Sequence, residues 1–525
     1  MVAGPAGPAT RDPARGPAEP PAEPPAEPPA EPRTNRRVRI LATLLLATAW
    51  AVAAGWATPR GPLTSGAALA SMAISLLVGV GAGLLLRSRW AIVLAPAAFA
   101  VAFEVTRLGT DGPMVDAPHL SAYGLIAFVT GRGFHGLLTL LPMMLAAAVG
   151  AGIARSRAGE RPTDARRTIR LTRRAGTAIA GLALLVLAAG LARPATTAPI
   201  VDANGDTIPG SVAELTTVEL GGRDLGVLIR GTSRTNPVLL FLAGGPGGSE
   251  LGAMRRHLPA LEQHFTVVTW DQRGAGTSYP QLDPTHSATL ASYISDTIEL
   301  TEHLRDRFDT DQVYLVGQSW GTTLGVLAVQ QRPDLYRAFV GTGQMVSQRA
   351  TDQIFYDDTL AWAKRTGNDG LVAQLEAAGP PPYQTMFPYE AALSHEQDVY
   401  PYDHRANSEG VGQMSENLLV PEYSLIDQVH ILGAFMDTFA AVYPQLQTID
   451  FRNSATDFDV PMFFVQGAHE APGRAQLFDQ WYPMITAPHK DLTELATSGH
   501  RPLWEQPDEF VDYLVDTVLE QTRPQ

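Results

Sequence analysis

Hydrophobic and polar positions divide this chain into two stretches of different texture. Between residues 39 and 193 apolar side chains run almost unbroken, interrupted by short clusters of arginine. Runs near 39–58, 66–86, 90–106, 134–154 and 176–193 approach or reach the roughly 20 residues that an apolar helix needs to cross a bilayer. So many long runs with so few charges predict a transmembrane region of about five helices, the third of which, closing on Glu104 and Arg107, is the shortest. From about residue 212 the texture changes to short apolar runs bounded by Gly, Pro and Asp, interleaved with helix-like stretches. That alternation predicts an α/β domain, a mostly parallel sheet flanked by helices.

Residues 238–242, 266–270, 313–316, 338–343 and 461–466 are the apolar runs of strand length, and each leads into a turn that could carry chemistry. The run at 313–316 ends in Gly317-Gln318-Ser319-Trp320-Gly321, ahead of a helix-like stretch at 322–331. A Gly-x-Ser-x-Gly turn between a strand and a helix holds the serine in a sharp, strained bend, and flanking glycines leave room for it. Ser319 is therefore the candidate nucleophile. The run at 238–242 leads into Ala243-Gly244-Gly245-Pro246-Gly247-Gly248-Ser249. A glycine cluster after a central strand lets backbone N–H groups approach a reacting carbonyl, so the N–H groups of Gly245 and Trp320 form the candidate oxyanion hole. A plain Gly/Pro turn is the alternative. After 266–270 comes Asp271-Gln272-Arg273-Gly274, in which Asp271 and Arg273 read as charges that brace a loop.

Downstream, 461–466 runs into Gly467-Ala468-His469-Glu470, and 492–497 into Ser498-Gly499-His500-Arg501-Pro502, before a final amphipathic helix at 507–521. The order Ser, acid, His is the one produced when each member sits on a loop after successive parallel strands. Ser319, Glu470 and His500 are thus the predicted triad. His500 would take the Ser319 proton and return it to the leaving group, while Glu470 fixes the imidazole tautomer and stabilises the imidazolium. Asp459 is the rival acid, but it precedes its strand and would lie at the wrong end of the sheet.

The combination Gly-Gly-Pro-Gly, Asp-Gln-Arg-Gly-x-Gly-x-Ser, Gly-x-Ser-Trp-Gly and Gly-His-x-Pro resembles the proline iminopeptidase (prolyl aminopeptidase) branch of the α/β-hydrolase superfamily, over residues 212 to 522. The chain departs from that branch at Ala243, where the branch usually has His, at Gln318, where it often has Gly, and at Glu470, where it normally has Asp. The resemblance implies a helical cap inserted after the strand at 338–343, here about 345–459. It also implies release of an N-terminal residue, with proline a candidate, from short peptides through an acyl-enzyme. Cap carboxylates hold the peptide's free α-amino group in that branch, and this cap is rich in acidic and aromatic residues, among them Tyr356, Glu390, Glu416, Glu422 and Phe435. Two other readings stand beside the aminopeptidase. One is a carboxylesterase or lipase-like hydrolase acting on ester or lipid substrates near the membrane. The other, from a different class, is a catalytically silent binding module whose membrane spans act as sensor or transporter.

Charge adds orientation. Arg33, Arg36, Arg37 and Arg39 precede the first span, Arg87 and Arg89 separate the second and third, and eight arginines from Arg155 to Arg174 separate the fourth and fifth. All three clusters fall on one side of a five-span bundle, and because Lys and Arg accumulate in cytoplasmic loops this predicts a cytoplasmic N-terminus and an extracytoplasmic hydrolase domain at the cell membrane. Residues 1–38 form a leader with four Pro-Ala-Glu-Pro units at 17–32, expected to be disordered. A polar leader of that length argues against a removable signal peptide, so the anchor is expected to be permanent. Residues 194–211 read as a linker.

Residues 1–199 hold 20 Arg against 10 Asp and Glu, net +10, and the remainder 19 Lys and Arg against 43 Asp and Glu, net −24, which together give −14. So acidic a domain is a poor candidate for nucleic acid or anionic lipid surfaces, so no nucleic-acid partner is expected, and it suits a neutral or cationic small peptide or ester. With no cysteine there is no disulfide, thiol nucleophile or Cys-ligated metal. Neither a zinc-type His spacing nor a Gly-rich phosphate loop occurs, so no metal or cofactor is expected.

Overall fold

The computed structural model describes residues 1, 2, 4, 7, 33–110, 119–158, 167–283, 288–402 and 418–523. The Pro-Ala-Glu-Pro units at 17–32 and Glu416 of the cap lie outside the described residues.

Each apolar run of the N-terminal region falls on a helix: α1 (Arg33–Ala57), α2 (Ser65–Leu86), α3 (Ala91–Thr106), α4 (Ala122–Phe128), α5 (Phe134–Arg157) and α6 (Arg167–Ala192). A wider helical turn at Val129–Gly133 joins α4 to α5, so the run expected at 134–154 belongs to one stretch, Ala122–Arg157. That stretch, α1, α2 and α6 are long and apolar enough to cross a membrane, whereas α3, with 16 residues, falls short of the ~20 required. Small residues let α2 and α5 touch backbone to backbone. A Cβ on Gly79 would sit 2.3 Å from the Met143 carbonyl oxygen, and one on Gly83 2.4 Å from that of Ala147. Large apolar side chains such as Leu77, Leu182 and Val186 point outward. Length and apolarity also select Leu425–Thr448, yet that segment packs into the α/β core through Ala434, Met436 and Val442.

Eight strands build the sheet: β1 (Val212–Leu220), β2 (Arg223–Gly231), β3 (Val238–Leu242), β4 (Thr266–Trp270), β5 (Val313–Gln318), β6 (Tyr336–Thr342), β7 (Met462–Gly467) and β8 (Lys490–Leu495). Their order is β1-β2-β4-β3-β5-β6-β7-β8, with β1 antiparallel to β2, β2 antiparallel to β4, and the remaining pairs parallel. The fold is thus the expected α/β-hydrolase architecture of a mostly parallel sheet flanked by helices. Alternate residues of the central strands enter different cores. Leu240, Leu242 and Leu315 pack on one face, Leu239, Phe241 and Val316 on the other, which is why these strands read as continuous apolar runs.

Three expectations shift. The last strand is Lys490–Leu495 rather than 492–497, because its pairing with β7 begins at Lys490. The C-terminal helix is not uniform, since Pro507–Asp512 passes into a wider helical turn at Tyr513–Leu519. And residues 194–211, read as a linker, hold onto the domain: Arg230 Nη1 donates to the Ala198 carbonyl at 2.6 Å and to Thr197 Oγ1 at 2.7 Å.

Between β6 and β7 the chain leaves the sheet and forms helices at Gln348–Thr366, Asp369–Ala378, Phe387–Leu393, Glu396–Val399 and Leu425–Val442. Ser424 caps the last of these reciprocally with Asp427, satisfying two backbone donors at its start. This helical insertion also meets the N-terminal helices. Leu184 and Leu191 of α6 cluster with Ile426, His119 stacks on Phe387 with 3.9 Å between ring centres, and the Tyr123 N–H donates to Glu390 Oε1 at 3.3 Å.

Candidate active site

Ser319 sits between the end of β5 and the helix Trp320–Gln331, with φ 52° and ψ −118°. A non-glycine residue held there costs ~1–3 kcal/mol and persists only where its surroundings enforce it. They do: the Ser319 N–H donates to the Thr342 carbonyl of β6 at 3.0 Å, and Thr322 Oγ1 donates to the Ser319 carbonyl at 2.6 Å. The strained φ belongs to the serine itself. Its neighbours are glycines because of crowding, since a Cβ on Gly317 would lie 2.5 Å from the Gly321 oxygen and one on Gly321 2.1 Å from that of Leu242.

The loops after β7 and β8 deliver Glu470 and His500 to the same end of the sheet. His500 Nε2 lies 2.9 Å from Ser319 Oγ, and His500 Nδ1 lies 2.6 Å from Glu470 Oε2. The other carboxylate oxygen, Oε1, accepts from the Ala471 N–H at 2.8 Å and from Arg474 Nε at 2.7 Å. Burial by itself would raise the Glu470 pKa, but the Arg474 guanidinium and His500 outweigh it and hold the carboxyl at about 2. Arg474 in turn pairs with Glu396 of the helical insertion and lies 4.8 Å from the Phe355 ring centre. Asp459 sits before β7, exposed, at the opposite end of the strands.

Ser319 and His500 open into a cavity of about 380 Å³ whose walls include Gly244, Gly245, Gly247 and Trp320. As the first residue of its helix, Trp320 has a backbone N–H without an intrahelical acceptor. Behind the cavity, the buried Gln272 links the loop after β3 to the helix that starts at Trp320. Its Oε1 accepts from Trp320 Nε1 at 2.8 Å and its Nε2 donates to the Ala243 carbonyl at 3.4 Å. Its neighbours anchor the loop. Arg273 pairs with Asp296 at 2.7 Å, and Asp271 accepts from the Thr277 N–H and hydroxyl, both at 2.8 Å, and from the Tyr423 hydroxyl at 2.9 Å. Burial pushes the Asp271 pKa up to about 7 against those hydrogen bonds.

The acidic residues singled out in the cap have other work. Glu422 is buried in an ion pair with Arg255, and Glu390 accepts the Tyr123 N–H. Among the described residues, the insertion's carboxylates that do line the cavity are Asp352 and Glu396. Asp352 accepts from the Tyr443 hydroxyl at 2.6 Å and from Gln447 Nε2 at 2.9 Å, and burial raises its pKa to about 6. Sequence reading passed over Asp352, Glu396, Gln272 and Arg474. Only Arg474 carries a local signal, its spacing of four residues from Glu470.

A family model described as the alpha/beta hydrolase fold matches residues 237–507. The chain is 30% identical over 307 residues to the probable aminopeptidase YbaC of Bacillus subtilis (strain 168), a match spanning 58% of this chain and 96% of that protein. It is 30% identical over 132 residues to a probable proline iminopeptidase of Leptolyngbya boryana, covering 25% of this chain and 39% of that protein. Among solved structures, a proline iminopeptidase-related protein of Thermus thermophilus aligns at a TM-score of 0.42 and 18% identity, over 59% of this chain and 98% of that one. Because the family match runs from the strand before the glycine loop to the helix after His500, and a relative is matched over nearly its whole length, this chain belongs to the α/β-hydrolase family.

Proposed function

We propose that this protein is a membrane-anchored serine hydrolase that releases N-terminal residues, proline among the candidates, from short peptides through an acyl-enzyme. The observation that carries the chemistry is the hydrogen-bonded chain from Ser319 Oγ through His500 to Glu470 at the floor of a cavity. In the reaction, Ser319 Oγ attacks the substrate carbonyl carbon as its proton passes to His500 Nε2. The carbonyl oxygen becomes an oxyanion facing the N–H groups of Gly245 and Trp320. The scissile C–N bond then breaks, the leaving amine takes the proton from His500, and the released residue remains esterified to Ser319. Water, deprotonated by His500, attacks that ester; its collapse returns the proton to Ser319 and frees the amino acid. Glu470 stays ionised throughout and stabilises the imidazolium.

The aminopeptidase reading is supported by the name of the Bacillus relative and by Asp352 and Glu396 on the cavity wall. A free α-ammonium group beside Asp352, whose hydrogen bonds come from the neutral Tyr443 and Gln447, gains an ion pair there, whereas Glu396 already holds Arg474. Capping that amine removes one partner, at about 2–5 kcal/mol, so kcat/KM for an N-acetylated substrate should fall by roughly 30-fold or more. Equal rates on free and N-acetylated aminoacyl anilides would favour the esterase reading instead. The apolar wall formed by Met345, Phe355 and Phe439 keeps that second reading open.

Membrane anchoring is supported by the length and apolarity of α1, α2, Ala122–Arg157 and α6, by their outward-facing Leu and Val, and by the close glycine contacts between α2 and α5. Small residues at helix contacts are how helices associate where lipid removes the hydrophobic drive between them. The arginine clusters favour a cytoplasmic N-terminus and an extracytoplasmic hydrolase domain.

A further inference from the structure

We infer that the substrate carries a long alkyl chain, held in a groove that the N-terminal helices and the helical insertion build together beside the Ser319 cavity. The inference rests on the Ser319 hydrolase reading and narrows its substrate class. A second cavity, of about 570 Å³, lies between α4 and the helix Leu425–Val442. Its walls are almost wholly apolar: Ile126 from α4 faces Val429 and Leu432 from the insertion, with Leu418 at the rim. Ile431 and Phe435, one helical turn apart on the same helix, line both this groove and the cavity that holds Ser319 and His500. The groove and the Ser319 cavity therefore share an apolar wall at Ile431 and Phe435, with Leu432 and Ile126 on the groove side and Phe439 on the Ser319 side.

Three features favour an alkyl chain over other occupants. The volume falls within the range of about 300–1,000 Å³ typical of small-molecule sites. The polar side chains at its border include Thr130 and Gln428, which already donate to the carbonyls of Ile126, Val420 and Tyr423, so a held water, which needs about 2–4 polar partners, gains little there. And the α4 wall belongs to Ala122–Arg157, a stretch of membrane-crossing length, so an amphiphile lying in a bilayer would meet the groove chain first and present its polar end toward Ser319. The N-terminal region is then more than an anchor, since it supplies one wall of the substrate site.

The test uses the full-length protein in neutral detergent micelles and two pairs of substrates, the methyl and dodecyl esters of L-alanine and p-nitrophenyl acetate and dodecanoate, so that the chain can occupy either side of the scissile bond. In at least one pair, kcat/KM for the dodecyl member should exceed that of its short partner by about tenfold or more, since each methylene leaving water for the groove contributes up to roughly fourfold. Ile126→Trp and Leu432→Trp each fill the groove and should lower that long-to-short ratio by about fivefold or more. The ratio is read within one protein preparation, so partial loss of folded protein does not alter it. No chain-length preference in the wild type, or a preference unchanged in both variants, would overturn the inference. Failure to hydrolyse even the short esters or free-amine peptides would instead overturn the Ser319 hydrolase reading, and this inference with it.

Discussion

Arg474 Nε donates to Glu470 Oε1 at 2.7 Å, so the carboxylate facing His500 is held from behind by a guanidinium that also pairs with Glu396 of the helical insertion. The arrangement matters because Glu470 is almost completely buried, and an unpaired carboxylate there would take up a proton. Arg474 keeps it charged. It also ties the geometry of the Ser319–His500 chain to the position of the insertion above it.

Ser319→Ala should abolish covalent labelling by a fluorophosphonate probe and reduce turnover on the order of 10⁶-fold, the loss seen when a serine nucleophile is removed from a comparable constellation. Folding should survive, because the backbone hydrogen bonds to Thr342 and Thr322 do not use the side chain. Retained activity with an unchanged melting curve would remove Ser319 from the mechanism.

Glu470→Gln keeps the shape but loses the charge that His500 and Arg474 both face, and should lower kcat by about 10⁴-fold, as when the acid of a serine protease is made neutral. Asp459→Asn, exposed at the far end of the sheet, should leave kcat within about twofold, in line with surface substitutions that touch no partner. Steady-state kinetics on the two variants decide the matter, and the reverse pattern would move the acid to Asp459.

Asp271 offers a pH test of the loop that carries Gln272. Its folded-state pKa, raised by burial to about 7, lies above the unfolded value of about 3.9, so its contribution to stability is fully present below pH ~4 and is lost as pH rises through 7. Asp271→Asn cannot lose it. The variant's deficit in Tm relative to wild type should therefore shrink between pH ~4 and pH ~8, even if it is large at the acid end for want of a full set of acceptors. A deficit independent of pH would show that Asp271 is ionised in the fold across the whole range.

Topology can be read by protease access. Added to intact cells stripped of any outer layers, a protease should cut in the hydrolase domain and spare the Pro-Ala-Glu-Pro leader, as the arginine clusters predict. Cleavage confined to the leader, or protection of the hydrolase domain, would invert or abolish the proposed orientation. The shortness of α3 makes this measurement informative, because an even number of crossings would place both ends on one side.

By itself the sequence determined what depends on local pattern. Residues 238–242 and 266–270 read as buried strands and are β3 and β4 to the residue, because a strand covered on both faces must be apolar at every position. Ser319, Glu470 and His500 were nameable in chain order because loops after successive parallel strands all emerge at one end of the sheet. Which groups meet was decided by tertiary structure alone. Ser319 and His500 are 181 positions apart, and neither Gln272, which spans from Trp320 to Ala243, nor the pairing of Arg474 with Glu396 leaves a periodic trace in the chain. Among the described carboxylates of the insertion, those facing the cavity turned out to be Asp352 and Glu396, since burial and partner choice, which residue type does not encode, assigned Glu390 and Glu422 to packing. The apolar groove exists only because α4 docks against a helix about three hundred residues later in the chain, and a surface shared by two such distant segments has no signature in either of them.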